Sequence, residues 1–182
     1  MNPLKNITAH SNEIIDFFWL FSSNKYFLSS STNMVILWNL NQINKNIYKV
    51  KNNRHIHKIS CLAVNTNIQN MFATGNSYQF VRLWQINKTI LNNSALYLQK
   101  IGIYEEINED IIKEFYVEDN IKSLNFLQEG DKIIIGTNKG KILIYKIIPE
   151  INFEFKIECR NRFVKSITNI NFFLYLHALY HH

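Results

Sequence analysis

An all-β fold assembled from repeated four-stranded antiparallel sheets is the architecture this sequence predicts, and three observations predict it. Segments of strand-forming residues recur along the chain, polar turn residues separate them, and matched landmarks keep a nearly constant spacing. The segments Met34-Val35-Ile36-Leu37-Trp38, Phe80-Val81-Arg82-Leu83-Trp84 and Lys141-Ile142-Leu143-Ile144-Tyr145 align without gaps, and each ends in a large aromatic residue. Ile14 lies 24 residues before Trp38, Ile59 lies 25 before Trp84, and Ile121 lies 24 before Tyr145.

Each unit opens with an apolar run that reads as a strand: Ile14 to Phe18, Ile59 to Val64 and Ile121 to Phe126. Turn chemistry follows, in Ser22-Ser23-Asn24, Asn65-Thr66-Asn67 and Gln128-Glu129-Gly130-Asp131, where short polar side chains and glycine favour chain reversal. The second strands begin at Tyr26-Phe27-Leu28, Asn70 to Thr74 and Lys132 to Ile135, and the aromatic-ended segments are the third strands. Outer strands are expected at Asn46 to Lys51, Lys113 to Glu118 and Asn152 to Glu158. The units therefore divide the chain at 9–51, 52–118 and 119–158, with an insertion at 87–112 that carries the acidic cluster Glu105, Glu106, Glu109 and Asp110. Ile167 to Phe172 reads like Ile121 to Phe126, so 159–182 is expected to start a fourth unit or to be a frayed tail. Leu4 to Thr8 reads as the outer strand of a preceding one.

Composition narrows the class. At 182 residues the chain has the length of one ordinary domain, and 47% hydrophobic against 19% charged residues is enough apolar material to offset chain entropy. The formal net charge of +6 comes from scattered Lys among Asn and Ile, not from a basic block. Asn, Ile and Lys all have A/T-rich codons, which further discounts the charge as a functional sign. Cys61 and Cys159 show no disulfide-framework spacing, the N-terminus lacks a secretory pattern, and every apolar run is interrupted well short of a membrane span. These features predict an intracellular protein without membrane insertion, cytoplasmic in preference to nuclear.

Four short strands per unit make a twisted sheet whose two faces both need covering by neighbouring sheets, which is the description of a propeller blade. From about Ala9 to about Glu158 the chain resembles the WD-repeat family of β-propellers. The family's Gly-His element matches Ala9-His10 and Arg54-His55, its second-strand Ser/Thr matches Ser29 and Thr74, and the Trp of its Trp-Asp pair matches Trp38 and Trp84. The resemblance implies that His, Ser/Thr, a turn Asp and the indole N–H form one hydrogen-bonded set within a blade. The repeats are degenerate: Thr32 or Asn33, Ser77 or Tyr78, and Asn138 or Lys139 stand where the family has Asp. The third copy also has Val117 for His and Tyr145 for Trp. The structural repeat residues are thus His10, Ser29, Trp38, His55, Thr74, Trp84 and Tyr145. Propellers close with four to eight blades, so three copies and part of a fourth are expected to belong to a larger propeller. Self-association of two copies into a ring is the lesser expectation.

Nothing in the sequence asks for catalysis or a cofactor. His55, His57 and Cys61 are zinc-ligand types but lack a fourth partner, and His55 already has a place in the repeat. His177, His181 and His182, with Cys159 upstream, are equally explained as a tail. Asp16, His55 and Cys61 supply triad residue types without a nucleophile-elbow pattern. Gly136-Thr137-Asn138-Lys139-Gly140-Lys141 lacks phosphate-loop spacing and aligns with the turn of the other repeats. Phe17, Phe18, Trp19 and Phe21 are read as core, since their counterparts are apolar. The resemblance implies a non-catalytic scaffold or adaptor that binds other proteins in a multi-subunit complex. The alternative is a ribonucleoprotein propeller in which Lys51, Arg54, Lys58, Arg160, Arg162 and Lys165 contact RNA phosphates.

Overall fold

The computed structural model describes residues 9–20, 25–40, 48–51, 58–68, 70–86 and 111–158, with the backbone alone at 48–51 and 111–112. The expectations for His55, for 159–182, for residues 4–8 and for most of the insertion lie outside the described residues.

Among the described residues twelve strands form three sheets, each of four antiparallel strands in simple up-and-down order. The first holds β1 (Ile14–Leu20), β2 (Tyr26–Ser31), β3 (Met34–Asn39) and β4 (Tyr48–Lys51). The second holds β5 (Ile59–Val64), β6 (Met71–Asn76), β7 (Phe80–Gln85) and β8 (Ile111–Tyr116). The third holds β9 (Ile121–Phe126), β10 (Lys132–Thr137), β11 (Lys141–Lys146) and β12 (Asn152–Glu158). The first strands β1, β5 and β9 contact one another in sequence, so the sheets stack as consecutive propeller blades around their inner edges. Among the described residues no helix is long and apolar enough to cross a membrane.

The repeat is visible in the register as well as in the sequence. Phe27 pairs with Trp38, Phe72 with Trp84 and Ile133 with Tyr145. One backbone bond closes the same hairpin end in every blade: Leu40 N–H to Lys25 C=O at 2.8 Å, Ile86 to Asn70 at 2.7 Å and Ile147 to Asp131 at 2.8 Å. Every first strand also enters its pairing through an irregularity, at Ile14/Asp16, Ile59/Cys61 and opposite Gly136/Thr137. Such bulges bend the strand and add twist.

Alternation along the strands decides which blade each side chain meets. In the middle blade Phe72, Trp84, Leu62 and Val64 point to the first blade and join Leu20, Leu28, Val35 and Leu37 in one apolar cluster. Met71, Ala73, Val81 and Leu83 point the other way and join Leu124, Phe126, Ile133, Ile135 and Leu143 of the third blade. A fully buried Leu or Ile in these layers contributes roughly 1.5–3 kcal/mol relative to exposure. Gly75 of the second blade faces Ile121 and Leu124 of the third. A Cβ there would meet Ile121 Cγ2 at 2.6 Å and Cys61 Sγ at 2.8 Å.

Two expectations are corrected. The outer strand of the middle blade runs over Ile111–Tyr116, two residues earlier than expected, because Trp84 pairs with Ile111 through a bulge and Val117 N–H turns back to Gln79 C=O at 2.8 Å. The insertion therefore ends before Ile111. Phe17, Phe18 and Trp19 are not core: Phe17 is 69% exposed and Trp19 48%. The reason is positional. Phe17 pairs with Ser29 as Leu62 pairs with Thr74 and Leu124 with Ile135. Leu62 and Leu124 are covered by the preceding blade, whereas Phe17 lies on the outward face of the first blade.

Candidate functional site

The side chains singled out by the repeat serve first to hold each blade together. In the first blade Trp38 Nε1–H donates to Ser29 Oγ at 2.8 Å, and Ser29 Oγ also lies 2.7 Å from His10 Nε2. In the middle blade Trp84 Nε1–H donates to Thr74 Oγ1 at 2.9 Å. Both indoles are buried, and each stacks on the phenylalanine it pairs with, Phe27 at 5.7 Å and Phe72 at 5.8 Å between centroids. Burying an indole N–H requires an acceptor. The third blade has lost both ends of that bond together: Ile135 stands at the Ser29 and Thr74 position and Tyr145 at the Trp position. Tyr145 instead packs between Phe115, at 4.9 Å, and Phe153, at 5.3 Å.

Other polar residues, with no sequence signal strong enough to single them out, close the turns. Asn76 Oδ1 accepts from Tyr78 N–H at 2.9 Å and Phe80 N–H at 3.0 Å. The same position holds Ser31, whose hydroxyl donates to Asn33 Oδ1 at 2.9 Å, and Thr137, whose Oγ1 accepts from Lys141 N–H at 3.0 Å. A short oxygen-bearing side chain at the last residue of each second strand was the available clue. Of the turn candidates, Asn33 reaches Ser11 Oγ at 3.4 Å and Thr32 accepts from Asn12 at 2.9 Å. Lys139 forms an ion pair with Asp119.

Asp119 is the centre of a charged network on the third blade. It is buried, 2.6 Å from Lys139 Nζ and 2.8 Å from Lys141 Nζ. Glu118 meets Lys141 at 3.2 Å and Lys156 at 3.1 Å, and Lys156 also meets Glu158 at 2.7 Å. Burial works to raise the Asp119 carboxyl, but its two lysines outweigh it and hold it below the usual carboxylate range. Lys156 and Lys141 likewise lower Glu118. A carboxylate before β9, paired with Lys139 of the turn and Lys141 at the start of β11, thus ties the entry of this blade to its second-to-third turn.

These groups lie at one end of the sheets for a topological reason. In an antiparallel four-stranded sheet the second-to-third turn, the start of the first strand and the end of the fourth all fall at the same end. That end carries Ser11, Asn12, Thr32 and Asn33 on the first blade and the charged network on the third. On the middle blade it presents Tyr78, 56% exposed, and Tyr116, 58% exposed, which meets Phe80 edge-on at 5.5 Å and hydrogen-bonds Gln79 Oε1.

Reactive chemistry is not assembled among the described residues. Cys61 is enclosed, and burial pushes its thiol up to about 12, so it is a protonated packing group. Asp16 is raised by burial, partly offset by Leu62 N–H, which donates to its Oδ2 at 3.1 Å. It clips the first blade to the second. No group of three or more His, Cys, Asp and Glu that could hold a metal occurs among the described residues. His57, His177, His181, His182 and Cys159 lie outside them.

No protein-family model matches the chain. No curated protein matches it. Among solved structures it is similar to a chain of the crystal structure of a mitotic checkpoint complex, with a TM-score of 0.64 and 15% identity over 87% of this chain and 43% of that one. The chain thus spans less than half the length of that neighbour. At this identity the likeness carries the fold, a WD-repeat-like β-propeller, and nothing finer.

Proposed function

We propose that the protein is a non-catalytic interaction scaffold that binds other proteins through the loop end of its blades. The observation that carries this reading is the contrast between the two kinds of polar and aromatic residue. Trp38, Trp84, Ser29 and Thr74 are consumed inside the blades, whereas Tyr78 and Tyr116 stand exposed beside charged loops on a rigid support. Exposed tyrosines on a preorganised surface supply contact area at little entropic cost. The solved neighbour belongs to a multi-protein complex, which agrees with protein partners in general.

Fixed charge supports proteins over RNA as the partner class. Lys132, Lys139, Lys141 and Lys156 are all paired with carboxylates. The test is affinity capture from native cells with wild-type protein and a Tyr78→Ala/Tyr116→Ala double variant of matched urea midpoint. Loss of specific co-purifying proteins from the variant is the expected result. An unchanged set of proteins, RNA retained at about 200 mM salt, or substrate turnover overturns the reading.

A further inference from the structure

The second-to-third turn of the middle blade has the form that calls for glycine, yet it carries a glutamine. In the third blade that turn runs from Thr137 to Lys141 and is closed by Gly140 N–H to Thr137 C=O at 3.3 Å, with Gly140 at φ +75°. In the middle blade it runs from Asn76 to Phe80 and is closed in the same way by Gln79 N–H to Asn76 C=O at 3.4 Å, with Gln79 at φ +77°. Backbone of that hand suits glycine and strains a long-chained L residue. Such strain collects where a side chain performs a task, at binding sites above all.

The task of the Gln79 side chain is legible at its two ends. Nε2–H donates to Glu118 C=O at 3.2 Å, and Oε1 accepts from Tyr116 O–H. Its backbone C=O takes Val117 N–H at 2.8 Å. Gln79 thus ties the turn that bears Tyr78 to the segment that bears Tyr116, the two exposed tyrosines of the loop end. The same bonds fix a polarity. A backbone carbonyl can only accept, so the amide N–H end must face Glu118 and the oxygen end Tyr116. Tyr116 then commits its single hydroxyl proton to Gln79, and its oxygen presents lone pairs alone to whatever approaches.

We propose that Gln79 is the positioning residue of the loop-end surface: it holds Tyr116 beside the Tyr78 turn with the phenol oxygen turned into an acceptor, so the protein partner meets it with a hydrogen-bond donor. The assignment rests on the reading that this surface binds proteins. It adds the residue that sets the geometry of the tyrosine pair and the polarity of the partner group.

Two measurements on the full chain test it. In carbon NMR spectra of protein carrying ring-labelled tyrosine, the Tyr116 Cζ signal, identified by its loss in Tyr116→Phe, is expected to shift in Gln79→Gly. An unmoved signal overturns the proposal whatever the protein binds. In affinity capture from native cells, the reference set is the proteins lost from the Tyr78→Ala/Tyr116→Ala variant. Gln79→Gly and Tyr116→Phe are each expected to lower capture of that set about tenfold, the effect of one hydrogen bond in a preorganised contact. Urea midpoints show that each variant is folded. If glycine lowers the midpoint, Gln79→Asn replaces it, since asparagine tolerates left-handed backbone and is one methylene too short to make both bonds. Full capture by the Gln79 variant or by Tyr116→Phe overturns this proposal and leaves the protein-binding reading standing. No loss from the tyrosine double variant overturns that reading and this proposal with it.

Discussion

At the scale of single residues, the buried indole bonds make a measurable unit. Thr74→Val leaves the Trp84 N–H without its acceptor and is expected to cost about 1–3 kcal/mol. Trp84→Ala, which also empties a packed site between blades, is expected to cost about 3–5 kcal/mol by urea denaturation. Thr74→Val with Trp84→Phe should lose less than the sum of Thr74→Val and Trp84→Phe measured singly; strict additivity sinks the claim that they act together. Asp16 tests the opposite sign of a carboxylate effect. Its folded pKa is raised by burial, so the folded state holds its proton more tightly and stability falls as pH rises through the raised value. Glu118 and Asp119 are lowered, so their contribution is present above about pH 4 and is lost as pH falls through their folded values. Asp16→Asn is therefore expected to be more stable than wild type at pH 7, the gap closing toward pH 4. A less stable variant at pH 7 would show that the charged bond to Leu62 N–H outweighs burial. Trp38, Trp84, Ser29, Thr74 and His10 could be found from the sequence because they repeat. Asp119 could not, because its partners Lys139, on a turn, and Lys141, at the start of β11, lie some twenty residues away in the chain.

At the scale of elements, turns carry as much positional information as strands. Asn65 at the first turn of the middle blade donates from Nδ2 to Gly130 C=O at 2.7 Å, while its Oδ1 accepts from Asn67 N–H and Ile68 N–H. Gly130 has φ +78°, and a Cβ on it would approach Asn65 Oδ1 to 2.6 Å. Gly130→Ala is expected to cost at least about 1–2 kcal/mol from the left-handed backbone alone, read as a lower urea midpoint; an unchanged midpoint removes Gly130 as a fixed joint between blades. Strand positions were legible as short, nearly continuous apolar runs bounded by turn residues, as expected where neighbouring blades cover the sheet. The start of β8 escaped the pattern. Its register is set by the bulge opposite Leu83/Trp84, a choice made by pairing across the sheet and not by any residue within Ile111–Tyr116.

At the scale of the whole molecule, among the described residues another blade covers the middle blade on both sides and its neighbours on one. Amide exchange should reflect that asymmetry. Amides of β6 are expected to exchange far more slowly than those of β12, whose side chains are all exposed. Equal protection would mean that the outer face of the third blade is covered in solution. By itself the sequence determined the all-β class, the four-strand unit and the identity of the indole-bonding residues, because these follow from short apolar runs, the turn residues between them and a repeated spacing. Which aromatic residues are core was decided by tertiary structure alone. Phe17 and Leu62 occupy equivalent places in equivalent strands, and what separates 69% exposure from near-complete burial is whether another blade stands in front.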